Sequence, residues 1–254
     1  MAASTMPPSE LYLVGTVHND LRGPRRLIDI LDHLNPDIVS VESTEQDAAR
    51  ARARIDDAYA RVGETGVEWL LSKILFKNRL SYGMPEINRF RFERECAYAW
   101  SVLKGKRCVP VEREWAPALR AIIVADVERR AGNLSREYAG SPAPAEEYQQ
   151  SVDGHYCRAV RHGLPVNDAD LAVLADRDPA MAERLHALDG RVVHISGVLH
   201  IAGRYANLAE HCADIDPTLM TLYDAEFILE SRGRKACEAS GLPAERLSAA
   251  DPSR

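Results

Sequence analysis

The strongest constraint on the fold lies near the N-terminus. Residues 11–17 (LYLVGTV) form an almost unbroken apolar run of strand length, followed by an amphipathic stretch at 24–34 and a second short run at 38–42 (IVSVE). Continuous apolar runs without polar alternation suit strands buried on both faces. Between them Leu27, Ile30, Leu31 and Leu34 recur at helical spacing, Pro24 suits a first helical turn, and Asn35-Pro36-Asp37 stops the helix. The three pieces predict a βαβ unit. A crossover of this kind packs its helix on the sheet, so the two strands are expected as parallel neighbours.

The same signals recur further on. Short strand patterns at 107–111, 191–196 and 218–223 alternate with helical periodicity at 117–129 and 203–211. The expected fold is α/β, a mainly parallel central sheet flanked by helices. Two long stretches without strand character, about 45–100 and 140–175, read as helical insertions forming a lid or second subdomain of one α/β domain spanning 1–254. Across and beyond the end of the second, two separate helices are expected at 168–175 and 179–188, the latter opening on Pro179.

Composition narrows the function classes. The chain has 254 residues and a net charge of −6, with no long basic run, which disfavours a nucleic-acid partner. No stretch of 18 apolar residues and no basic-then-apolar leader is present, so neither a membrane span nor export is expected. Five cysteines, Cys96, Cys108, Cys157, Cys212 and Cys237, lack metal-ligand or paired spacing. They are expected as inert thiols in a reduced, cytoplasmic protein.

Two segments share one design, a strand, then Gly-x-x-His, then a helix: residues 15–18 (GTVH) and 197–200 (GVLH). In an open α/β sheet, ligands gather beyond the carboxyl ends of the strands. Four predicted strands end there on chemistry-bearing residues, presenting His18, Glu42, Glu112 with Arg113, and His200 to one rim. Packing alone does not call for that arrangement. A His18-x-Asp20 pair with distant His200 also spells the ligand set of a non-haem iron oxygenase, but βαβ patterning is foreign to the usual jelly-roll host. No G-x-S-x-G elbow, phosphate-binding loop or dinucleotide fingerprint is present.

These segments also carry a family resemblance. VGTVHND followed by PDIVSVE, with a closing SGVLHIAG, resembles the TraB/PrgY (pheromone shutdown) and TIKI superfamily, which extends to erythromycin esterase-like and ChaN-like proteins. Glu95 in FERECAYAW resembles a glutamate on the family's middle helix. VERE, with Glu112 where aspartate is common, followed by Arg120, resembles an acidic strand end with a later arginine. ADRDPAMAERL, containing Arg177 and Asp178, resembles the arginine motif before the last Gly-x-x-His. The resemblance spans residues 11–211 in scattered but ordered pieces; the membrane segments of many relatives have no counterpart in it.

The resemblance implies a hydrolytic site acting on a peptide or a small-molecule ester or amide. In the leading expectation His18, Glu42 and His200 hold one divalent metal ion (Mn, Co or Zn), Glu112 or Glu95 adds a ligand or general base, and Arg177 or Arg113 stabilises the oxyanion. A second expectation needs no metal: His18 acts as general base in an ester or lactone opening. A third is a non-enzymatic peptide- or ligand-binding regulator with the same fold.

Overall fold

The computed structural model describes residues 8–18, 20–80, 92–114 and 145–228. Five strands, β1 (Glu10–Thr16), β2 (Ile38–Val41), β3 (Arg107–Pro110), β4 (Arg191–Gly197) and β5 (Thr218–Thr221), form one sheet. Every pairing is parallel and the order is β3-β2-β4-β1-β5. The chain is therefore an α/β protein built on a parallel sheet.

One expectation about that sheet fails. β1 and β2 are not neighbours, because β4 lies between them, running from Glu10↔Arg191 to Thr16↔Gly197 on one side and from Ile38↔Val192 to Val41↔Ile195 on the other. The crossover pattern predicts two parallel strands, but local sequence has no say over a third that inserts between them 150 residues later.

The first crossover helix, α1 (Gly23–Leu34), carries Pro24 in its first turn and ends at Asn35, whose left-handed backbone returns its N–H to the Leu31 carbonyl. Leu27, Ile30 and Leu31 are fully buried with Leu13, Val14, Val193 and Ile195 in the main core. The first insertion consists of α2 (Glu45–Val62), α3 (Glu64–Leu80) and α4 (Phe92–Lys104). Thr44 caps α2 by accepting from the Asp47 N–H. A small second core of Ala48, Ala51, Ile55, Val67, Tyr98 and Ala99 holds these three helices together.

The second insertion contributes α5 (Ala145–His162) and α6 (Asp168–His186). Here Pro179 does not divide the helix: α6 is continuous through it, started by an Asn167 cap. Proline costs the Ala175 carbonyl its intrahelical donor but leaves the following residues free to continue. The helix expected over 203–211 is also corrected. A separate single turn, α7 (Leu199–Ala202), precedes that range and ends at Gly203, where a β-carbon would stand 2.5 Å from the Leu199 carbonyl oxygen; within the range only the single turn α8 (Leu208–His211) is helical. The helix expected at 117–129 lies outside the described residues, as do Arg120 and Cys237. Among the described residues no helix is long and apolar enough to cross a membrane.

The strand order makes a direct prediction. Ile195 in central β4 is 1% exposed, whereas Leu219 in edge strand β5 is 51% exposed. Ile195→Ala should lower unfolding free energy by about 2–5 kcal/mol in urea titrations. Leu219→Ala should change it by no more than about 0.5 kcal/mol. Comparable losses at both positions would contradict the central placement of β4.

Candidate functional site

Because all five strands are parallel, their carboxyl ends share one edge, and the backbone there is fixed beyond the strands themselves. Glu42 N–H donates to the Ile195 carbonyl (2.9 Å), Val198 N–H to the Thr16 carbonyl (2.9 Å) and Glu112 N–H to the Ser43 carbonyl (3.1 Å). The rim residues thus leave the sheet from defined positions.

His18 stands at the mouth, its side chain 43% exposed. Its Nδ1 lies 2.6 Å from Glu93 Oε1, which also accepts from the Thr16 hydroxyl at 2.8 Å. An ionised carboxylate only accepts, so Nδ1 bears a proton and the basic nitrogen, where the ring is neutral, is Nε2. Burial by itself pushes the Glu93 carboxyl up, yet His18 and Thr16 hold it below its ordinary value. Gly197 marks where Nε2 points. A β-carbon there would stand 3.5 Å from His18 Nε2 and 3.6 Å from Glu42 Oε2, so the missing side chain keeps open the space these two atoms face. The Gly197 N–H itself donates to Glu42 Oε2 at 2.8 Å.

Behind this space runs a buried row of alternating charge. Arg177 bridges two carboxylates, Nη2 to Glu42 Oε1 and Nε to Glu112 Oε1. Glu42 Oε2 is 3.4 Å from His200 Nε2, and His200 Nδ1 is hydrogen-bonded to Asp178 Oδ1. Tyr205 donates to Asp178 Oδ2 at 2.6 Å. Burial drives the His200 imidazole towards neutrality, but Glu42 and Asp178 outweigh it and push its pKa up to about 9. His194, within β4, has no such pair of carboxylates. Burial pushes it down to about 3, and it sits neutral against the Ser40 hydroxyl.

Of the residues singled out by sequence, the structure brings His18, Glu42, Glu112, Arg177 and His200 together. Arg177 turns inward onto Glu42 and Glu112 although it lies in a helix. Glu95 and Arg113 are placed elsewhere: Glu95 pairs with Arg54 of α2, and Arg113, 45% exposed at its side chain, pairs with Asp176. Asp20 is buried in contacts with Arg26, Gln149 and Tyr156, which removes it from any His-x-Asp metal triad.

Sequence reading missed Glu93, Asp178 as a partner of His200, and Tyr205. Glu93 had a signal. On α4 it shares a face with Ala97 and Trp100, which enter the main core, whereas Glu95 shares one with Ala99 and Val102, which face α2. Tyr205 had none, since its reach depends on the chain reversal at Gly203.

The nitrogen and oxygen donors of His18, Glu42 and His200 have the chemistry a divalent ion takes, and each imidazole is oriented through Nδ1 by a carboxylate. The contacts do not form a coordination shell. Glu42 is engaged by Arg177 and Gly197, His200 is held as a cation, and among the described residues no group of three or more His, Cys, Asp or Glu is placed to hold a metal.

The raised His200 pKa makes stability pH-dependent. The folded protein holds this proton more tightly than the unfolded chain, whose imidazole titrates near 6.5. The stabilisation is complete below that pH and is lost as pH rises through about 9. A shift of this size corresponds to roughly 3 kcal/mol. Urea unfolding between pH 6.5 and 9.5 should show the decline, and His200→Gln should flatten it.

Compared with known protein families, curated protein sequences and solved structures, the chain gives no match.

Proposed function

We propose that the cleft is a hydrolytic site for an ester or amide carbonyl, in which His18 activates water without a metal. The supporting observation is the orientation of His18: Nδ1 anchored on buried Glu93, Nε2 turned toward the open space over Gly197 and beside Glu42. A neutral imidazole so fixed accepts a proton from water as the water attacks the carbonyl carbon. Glu42 orients that water through Oε2. The developing oxyanion draws on the positive charge of Arg177, bound to Glu42. His18 then returns its proton to the departing alkoxide or amine.

The substrate class is a small ester, lactone or peptide amide, in line with the resemblance of the two Gly-x-x-His segments. The described cysteines are all free, which suits a reduced cytoplasmic setting. Metal-dependent hydrolysis is the competing reading, and the orientation of both imidazoles by carboxylates favours it. It requires His200 to give up its proton and Arg177 to release Glu42.

Activity should be measured with p-nitrophenyl acetate, a γ-lactone and an aminoacyl p-nitroanilide. Turnover of at least one is expected, surviving exhaustive chelation, and His18→Ala should abolish it while moving Tm by only a few degrees. Gly197→Ala, whose methyl makes ordinary contacts but fills the space between His18 and Glu42, should also abolish it. Turnover lost on chelation and restored by Mn, Co or Zn selects the metal-dependent reading. An active His18→Ala enzyme overturns both.

A further inference from the structure

The turn carrying His18 is held from outside the sheet by one side chain of the second insertion. Tyr156 of α5 is fully buried. Its hydroxyl accepts from the Val17 N–H at 2.8 Å and donates to Asp20 Oδ2 at 3.2 Å. These two contacts bracket His18 in sequence. The turn is closed by Asp20 N–H donating to the Val17 carbonyl at 2.8 Å. Asp20 in turn accepts from the Arg22 N–H, Gln149 Nε2 and Arg26 Nη1, and Arg26 reaches on to Asp153 and Glu226.

The sheet does not require this network, because the β1–β4 ladder ends at Thr16 and Gly197, before the turn begins. A residue carried on two unsupported backbone positions samples several orientations, and an imidazole that leaves Glu93 loses both its tautomer and its aim. Fixing the N–H before His18 and the carboxylate two residues after it restricts the His18 backbone from both directions of the chain.

We propose that Tyr156 is a positioning residue for His18, its hydroxyl locking the turn so that Nδ1 stays on Glu93 and Nε2 stays turned toward Gly197 and Glu42. The kinetic consequence rests on the hydrolytic reading above; the conformational one does not. Placement of the base then depends on α5 being docked against the end of β1, which ties the second insertion to the chemistry at the rim.

The test compares Tyr156→Phe with Gln149→Met. Both remove buried hydrogen bonds to Asp20, but only the first touches the Val17 N–H. The His18 ring nitrogens are followed by NMR on protein labelled with 15N-histidine, assigned with His18→Gln and recorded at alkaline pH where the ring is neutral. The wild type and Gln149→Met should show the Nδ1–H tautomer. Tyr156→Phe should move toward the mixture of an untethered imidazole, in which the Nε2–H form predominates. With p-nitrophenyl acetate, kcat of Tyr156→Phe should fall by about tenfold to a hundredfold, with KM within about threefold of wild type. Asp20→Asn keeps the shape and weakens the hydroxyl's anchor; it should move the same signals less, and it serves if Tyr156→Phe does not fold. Unchanged His18 signals in the folded Tyr156 variant, or in Asp20→Asn where that one alone folds, overturn the proposal. An altered tautomer in a protein whose wild type turns over no ester leaves the positioning role intact and counts only against the hydrolytic reading.

Discussion

β4 runs through the middle of the sheet, hydrogen-bonded to β1 on one side and β2 on the other, and the meeting of His18, Glu42 and His200 depends on that insertion. Neighbouring strands stand about 4.8 Å apart, so residues leaving three consecutive strands reach one another with ordinary side chains. Gly197, at the end of the middle strand, supplies an N–H for Glu42 and no side chain to fill the space facing His18. With β4 outside β3 or β5 instead, His200 would leave the sheet at least two strands away from His18 or Glu42.

The charges gathered at this edge are a costly way to stabilise a fold. Taking a carboxylate out of water costs several kcal/mol, and a buried ion pair recovers that only with good geometry and full hydrogen bonding. Apolar side chains of similar volume would close the sheet edge at less cost. The row Asp178, His200, Glu42, Arg177 and Glu112 meets the cost by alternating sign along its length, so that each inner charge has an opposite neighbour on both sides. Concentrated at the strand ends of an α/β sheet, such an arrangement supports the proposed site.

The helical insertions complete what the sheet begins. The segments just beyond the strand ends supply His18, Glu42, Glu112 and, in the turn α7, His200. The groups that orient or neutralise them come from the helices: Glu93 from α4, Arg177 and Asp178 from α6, Tyr156 from α5. Arg177 and Asp178 are consecutive, yet one serves Glu42 and Glu112 and the other His200. They sit on the turn just before Pro179, where the helix continues without one of its own hydrogen bonds. A lid that only covered the site would not need to carry these groups.

Sequence by itself determined the local elements and the candidate rim. Apolar runs without alternation gave the strands, helical spacing of Leu27, Ile30 and Leu31 gave α1, and parallel strands must end on one edge, which is why His18, Glu42, Glu112 and His200 were legible together. What tertiary structure alone decided is adjacency. That β4 lies between β1 and β2, that α4 turns Glu93 rather than Glu95 toward His18, and that Tyr205 reaches Asp178 across the reversal at Gly203 are all consequences of long-range packing. Periodicity reports which face of an element is buried. It does not report which distant element buries it, and the partner of a buried charge is chosen at that second step.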